Sequence, residues 1–382
     1  MEAKKYWEEV YQKLDEKLQA ECARLGDKIP YIPEEGHYID MREKNLSFWT
    51  NGFWAGILWQ MYHSTQKDIY KETAKKNGEA MNMVFQQFTK FSHDIGFQFL
   101  HTAVADYRLT GDETARERGL HAAGILAGRF NPAGNFIRAW NDSNGKGLGA
   151  DDENKSGWMI VDCLMNIPLL YWAGEELKDP RFAYIADQHA HTALRVLMRP
   201  DGSCNHIAIL DPVTGELREN PGGQGYAPGS SWTRGQSWAL YGFALAYLHT
   251  GKQEYLDAAK RSAHYFIANV SGTDYVSVVD FRSPAEPVYL DTTATACAAC
   301  GLLQIAELVP EYEKALYYDN AEKMLTALVQ KHCDWKTETD GILQNGTVMY
   351  WCEEERHVPI IYGDYFLVEG VLRLLEKSFL IW

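Results

Sequence analysis

The sequence predicts an all-α fold: a closed (α/α)6 toroid, or six-hairpin barrel, with short β-hairpins in the loops of one face. Three observations predict it: a joint that recurs between helices, an alternation of two helix types, and long connections confined to one side of that alternation. The joint has one shape in HSTQKDIYKETAKKNGEAM, RLTGDETARERGLHAAGIL, ELKDPRFAYIADQHAHTAL, LHTGKQEYLDAAKRSAHYF and LVPEYEKALYYDNAEKML. A helix stops, a short turn with Gly, Pro or Asp follows, and an amphipathic helix begins with acids in its first turn. These joints fall near Lys67, Gly111, Asp179, Gly251 and Pro310. Their spacing of roughly 45–70 residues holds two helices and a loop, the mark of a helical-hairpin repeat.

The helices then follow in order. Charged, amphipathic ones are expected at about 4–24, 68–90, 113–129, 180–197, 252–268 and 313–331. More apolar ones are expected between them, at about 48–63, 94–109, 157–174, 232–249, 292–308 and 362–377. A helix apolar all round is buried and one with a charged stripe lies outside, so the first set forms the outer ring and the second the inner. The 382 residues are read as one domain spanning 1–382.

Composition narrows the function. Hydrophobic residues make up 46% and charged residues 23%, a globular balance. A formal charge of −15 argues against nucleic acid or an anionic membrane as partner, since both need a basic face. The N-terminal MEAKKYWEEVYQKL reads as an amphipathic helix, not a signal segment. No apolar run approaches the ~20 residues of a membrane span. Seven cysteines scattered from Cys22 to Cys352 do not form a disulfide pattern, and the Cys297–Cys300 pair lies in a small-residue helix that reads as core. A cytoplasmic protein is expected, as monomer or homodimer.

The connections locate the site. Outer helices follow tight joints, whereas inner ones follow long aromatic and glycine-rich segments: Asn131–Gly157, Met198–Ser231, Ser271–Leu290 and Asp334–Ile361. YVSVVDFR and VMYWCEEERHV within them read as β-hairpins. Long loops gathered on one face of a rigid scaffold are where sites are built. The six mouths read LSFWTNGFWAG, SHDIGFQF, SGWMIVD, SSWTRGQSW, LDTTATA and IYGDYF. Asp162 stands among Val161, Leu164, Met165, Pro168 and Leu169, so desolvation should raise its pKa, as a general acid near neutral pH requires. Asp94 and Asp364 are the other plausible acids, and Asp291 is most simply an N-cap. His206 reads as a loop histidine, and Arg234 between Trp232 and Trp238 suggests a carboxylate clamp with stacking rings. GGQG at Gly222–Gly225 lacks the P-loop lysine and is not read as a phosphate loop. No metal-ligand spacing occurs, and acid–base chemistry on a sugar is what these residues leave.

FWTNGFWAG, HDIGF, the Asp of SGWMIVDCLMN, the His of CNH, GQGYAPGSSWTRGQSWA and YGDYFLVEG, in this order, resemble the unsaturated glucuronyl hydrolases of glycoside hydrolase family 88. The resemblance runs from Trp49 to Leu372. It implies an (α/α)6 toroid without metal or cofactor. The implied reaction removes a 4,5-unsaturated uronate from the non-reducing end of oligosaccharides left by polysaccharide lyases, by hydrating the C4=C5 vinyl ether. Asp162 matches the family acid/base and Asp94 its second carboxylate. His206, Gln224, Trp232, Arg234 and Trp238 match pocket residues, with His93, Trp49 and Trp140 as further matches. Arg234 is expected to pair the uronate carboxylate, and Trp140 and Trp232 to offer ring surface.

One departure bears on substrate. Members favouring sulfated glycosaminoglycan fragments carry a Ser- and Lys-containing motif before the last inner helix, where this chain has WCEEERHVPI. Glu353, Glu354 and Glu355 would repel sulfate, partly offset by Arg356 and His357. Unsulfated or differently linked aglycones are therefore expected. The alternatives are an unsaturated rhamnogalacturonyl hydrolase of the same fold, a sugar epimerase, and a non-catalytic glycan-binding toroid.

Overall fold

The computed structural model describes residues 2–142 and 154–382, so part of the Asn131–Gly157 connection lies outside the described residues. The outer helices are Glu2–Leu25, Asp68–Ala80, Glu113–Ala127, Pro180–Val196, Gln253–Val270 and Glu311–Lys331. Their starts follow the joints: the Asp112 side chain accepts from the N–H groups of Thr114 and Ala115, and Asp179 from that of Arg181. Gly111 and Gly251 end the preceding inner helices in the left-handed conformation, at φ 73° and 67°.

The inner ring closes on itself. Helix Phe53–Thr65 packs on the segment Leu100–Val104, Thr233–Thr250 packs on Val161–Met165 and on Thr292–Leu308, and Ile361–Leu374 bridges Thr292–Leu308 back to Phe53–Thr65. The axis is filled by aromatic side chains. Phe97 meets Phe53 at 5.4 Å and Trp238 at 5.2 Å between ring centroids. From below, the C-terminal tail inserts Trp382, 1% exposed, parallel to Phe366 at 6.0 Å. Gln60 fixes the tail through a pair of hydrogen bonds with the backbone of Phe379.

Two inner elements depart from the expected regular helices. The second begins as Ile95–Phe99, widens into a π-helical segment Leu100–Val104 and resumes as Ala105–Thr110. The third begins as a strand, Trp158–Ile160, followed by a 3-10 turn, Val161–Met165, and becomes α-helical only over Pro168–Leu177. The strand pairs antiparallel with Ile207–Leu210, which pairs in turn with Leu217–Glu219. YVSVVDFR and VMYWCEEERHV, expected as hairpins, instead make isolated bridges such as Val278 with Leu290 and Gly346 with Val358. Short antiparallel pairs do occur at Pro33–Glu34 with His37–Tyr38 and at Phe130–Asn131 with Phe136–Ile137.

Candidate active site

Asp162 is the second residue of the 3-10 turn that follows the strand, and its side chain keeps 15% of its surface exposed. The strand fixes the backbone through its pairing with Ile207–Leu210, and Val161 N–H donates to His206 O at 3.0 Å. The carboxyl oxygen Oδ1 is buried and has no hydrogen-bond partner among the described residues. Burial first, and the Asp94 charge second, push the Asp162 carboxyl up to about 8, against the opposing pull of Arg234.

Asp94 lies at the neighbouring mouth in a different environment. Ser92 Oγ donates to its Oδ2 at 2.8 Å, and His93 Nε2 lies 3.3 Å from its Oδ1. Burial raises the Asp94 carboxyl to about 6, opposed by Ser92, Arg129 and Asn166. Burial and Arg129 depress His93 to about 3, so its ring is neutral. Hydrogen bonds to a carboxylate favour the ionised form. Asp94 has side-chain donors in Ser92 and Asn166, whereas Asp162 has only its own backbone N–H among the described residues, so the pair separates into an ionised Asp94 and a protonated Asp162 near neutral pH.

One asparagine and one glycine bring the two mouths together. Asn166 Oδ1 accepts from Phe97 N–H at 2.7 Å, and Asn166 Nδ2 donates to Asp162 O at 3.1 Å. A Cβ on Gly96 would lie 2.5 Å from the Cα and O of Asn166. The glycine of HDIGF is what permits that approach.

His206 is oriented by its neighbours. Gln224 N–H donates to His206 Nδ1 at 3.0 Å, so the proton of the neutral ring sits on Nε2, 3.8 Å from Asp162 Oδ1. Burial, then Arg234, hold the ring well below its ordinary pKa. Gly223, at φ +60°, makes the approach possible, since a Cβ there would stand 2.0 Å from His206 Nδ1. The glycine run dismissed as a phosphate loop is thus a seat for a histidine. Gln224 also ties the fourth mouth to the last long loop, its Nε2 donating to Val348 O at 2.9 Å.

Arg234 is placed otherwise than expected. It is 1% exposed, with Nη1 donating to Thr347 O at 2.9 Å and Tyr362 OH at 2.5 Å, and Nη2 to Val348 O at 2.7 Å. Asp291 Oδ2 lies 3.5 Å from Nη1. Both terminal nitrogens are committed within the protein, which differs from an open carboxylate clamp. Its guanidinium stacks over Trp232 at 4.4 Å, and His206 covers the same indole at 4.2 Å. Trp232 is thereby buried rather than presented as ring surface. Trp238 is likewise core, between Phe97 and Phe366. Trp49 and Trp140 are the partly exposed indoles of the set, resting on Tyr362 at 4.9 Å and Trp158 at 5.9 Å respectively.

The remaining acids have structural partners. Asp291 caps its helix, its side chain accepting from Thr293 N–H. Asp364 accepts from the N–H groups of Ile342 and Leu343 and from Tyr38 OH, anchoring the last long loop. All seven cysteines are free, Cys297 and Cys300 being buried. Ser92, Arg129, Asn166 and Tyr362 were not singled out from sequence. Tyr362 and Ser92 sit inside mouths that were, whereas nothing local marks Arg129 or Asn166.

Comparison with known proteins agrees with this fold. Residues 24–361 match the family described as Glycosyl Hydrolase Family 88. The chain is 36% identical over 356 residues to an unsaturated glucuronyl hydrolase of Bacillus sp. strain GL1, covering 92% of each chain. It is 33% identical over 339 residues to an unsaturated chondroitin disaccharide hydrolase of Streptococcus pneumoniae, covering 87% of this chain and 83% of the relative. The crystal structure of the Bacillus sp. GL1 enzyme superposes with a TM-score of 0.88 at 35% identity over 96% of both chains. A closed six-hairpin toroid, two unequal carboxyls at adjacent mouths and a family match over most of the sequence have one meaning: this chain belongs to glycoside hydrolase family 88 and is a glycoside hydrolase.

Proposed function

We propose that the protein removes a 4,5-unsaturated uronic acid from the non-reducing end of lyase-generated oligosaccharides. The observation that carries the reading is the unequal pair: a buried Asp162 Oδ1 with no hydrogen-bond partner among the described residues, and Asp94 with Ser92 Oγ at 2.8 Å. An ordinary glycosidase uses two carboxyls that flank an anomeric carbon. A vinyl ether needs one proton delivered to carbon instead. Asp162 donates to C4 of the double bond, and the cation that forms at C5 is stabilised by the ring oxygen. Water adds to C5 and returns a proton to Asp162. The hemiketal opens between C5 and the ring oxygen, and the C1 hemiacetal so produced releases the aglycone alcohol. One water is consumed and Asp162 is restored.

Asp94 serves as the ionised neighbour that raises Asp162 and accepts from uronate hydroxyls. His206 contributes a neutral Nε2–H at the same site. Trp49 and Trp140 offer ring faces to sugar. We assign Arg234, with Gln224, to holding the Thr347–Val348 segment over the mouth and to supplying long-range positive charge.

The aglycone side favours unsulfated sugars. The Glu353 side chain is 84% exposed. Arg356 offsets it only in part, its Nη1 lying 3.7 Å from Glu353 Oε1 while Nη2 donates to Tyr350 O at 2.7 Å, and His357 Nε2 accepts from Leu290 N–H at 3.1 Å. Burial and Arg356 keep His357 below its ordinary pKa. Turnover of sulfated and unsulfated unsaturated chondroitin disaccharides, followed by loss of the ultraviolet absorbance of the conjugated double bond, tests both levels. Activity with preference for the unsulfated form is expected. A clear sulfated preference contradicts the aglycone reading, and no absorbance loss with either contradicts the reaction.

The free state of all seven cysteines suits a reducing compartment, and we place the protein in the cytoplasm, acting as one catalytic unit over 1–382. No helix among the described residues is long and apolar enough to cross a membrane.

A further inference from the structure

Arg129, just beyond helix Glu113–Ala127, is a half-buried cation with neutral partners. Its Nε donates to Arg138 O at 2.9 Å and its Nη2 to Ala139 O at 2.9 Å. Nη1 donates to Phe91 O at 2.8 Å and Asn141 Oδ1 at 3.1 Å. Every acceptor is uncharged, and among the described residues no carboxylate lies within ion-pair distance of this guanidinium. Removing a charge from water is unfavourable unless an opposite charge compensates it. The acceptors show where the compensation falls. Ala139 O, which receives Nη2, also receives His93 N–H at 3.0 Å, and Phe91 is three residues before Asp94. The cation is clamped to the backbone that carries His93 and Asp94.

We propose that Arg129 is a positioning residue for the hydrolysis: the fixed counter-cation behind Asp94 that lets one carboxyl of the site be charged while the other holds a proton. This rests on the two-carboxyl reading above. Asp94 is faced on its own turn by Ser92 and His93, and from the third mouth by Asp162, Cys163 and Asn166. His93 is neutral, and burial holds the Cys163 thiol protonated. Among the described residues, Arg129 is therefore the positive charge that acts on Asp94, as Arg234 is the one that acts on Asp162. Arg138, beside Arg129, is itself paired with Asp142 at 2.6 Å.

The charge and the scaffolding roles of Arg129 separate by substitution. Arg129→Lys keeps the charge with three of the five donors, whereas Arg129→Gln keeps two donors and loses the charge; both lose the guanidinium fork, so the two variants differ chiefly in charge. The readout is kcat/KM against pH for hydrolysis of an unsaturated chondroitin disaccharide. In Arg129→Gln the acidic limb should move up by about one pH unit or more, because Asp94 without its counter-charge holds its proton longer. In Arg129→Lys the limb should stay near that of the wild type even if the overall rate falls. In an Asp94→Asn background neither substitution should move a limb further. A uniform loss across pH in both variants, or a shift of equal size with and without Asp94, would overturn the proposal. An inactive wild-type protein would instead refute the reaction assigned above, so the two failures are distinct.

Discussion

Asp94 and Asp162 carry the same chemical group at adjacent mouths, and their surroundings give them different work. With Asp94 titrating at about 6 and Asp162 at about 8, the productive microstate peaks between those values. The fraction with Asp94 ionised is lost as pH falls through the lower value, and the proton on Asp162 is lost as pH rises through the upper one. The pH profile of kcat/KM should therefore be a bell with limbs near these positions; a flat profile from pH 5 to 9 contradicts it. Asp94→Asn removes both the acidic limb and the charge that lifts Asp162. The basic limb should then move to lower pH, with kcat down by about 10²-fold or more. The buried setting of Asp162 was legible because an acid in an apolar run is conspicuous. The committed nitrogens of Arg234 were not, because their acceptors, Thr347 O and Val348 O, lie more than a hundred residues along the chain. Local sequence marks a residue's type but not which distant carbonyl it meets.

At the scale of elements, the position of the Asp162 carboxyl depends on an interruption of helix. Trp158–Ile160 is strand because Ile207–Leu210 lies beside it, with Ile160 opposite Ile207. Trp-Met-Ile-Val suits a strand or a buried helix equally well, and the long-range pairing decides the outcome. For that reason a continuous third inner helix was expected where a strand and a 3-10 turn occur. The same principle cost YVSVVDFR its expected hairpin, since its backbone bridges to Trp232, Thr233 and Tyr289, whereas VMYWCEEERHV folds back on itself only through Gly346–Val358 and Val348 N–H to Glu355 O, too sparsely for paired strands. By contrast the tight joints, whose signals are caps and turn residues within a few positions, fell where expected. Gly223 offers a test at this scale. Gly223→Ala places a Cβ against His206 Nδ1 at a left-handed φ, with a stability cost of about 1–2 kcal/mol. Loss of the fixed His206 tautomer should lower kcat/KM by more than tenfold, far beyond that stability change, when activity and thermal unfolding are measured on the same preparation. Unchanged kinetics would remove His206 from the site.

Across the whole molecule, six hairpins close one ring and place the six mouths together, while the base is sealed from within the same chain. Trp382 packs against Phe97, His101, Tyr365 and Phe366, so the tail closes the axis directly beneath the aromatic floor of the site. The repeat made the ring legible, but the tail has no repeat partner and its role appears only in three dimensions. Truncating Trp382 to Ala should destabilise the fold by about 3–5 kcal/mol. Thermal unfolding should show that loss, while kcat measured well below the transition changes little. A Tm equal to that of the wild type would show that the plug is dispensable.

In the proposed reaction Asp162 delivers a proton to carbon. The most direct test of that step is the disappearance of the conjugated double bond of an unsaturated chondroitin disaccharide, followed by ultraviolet absorbance for the wild type and for Asp162→Asn at pH 7. The wild type should consume the double bond and release the free aglycone sugar. Asp162→Asn, folded to the same Tm, should lose at least about 10³-fold in kcat. Turnover by Asp162→Asn close to that of the wild type would contradict the assignment.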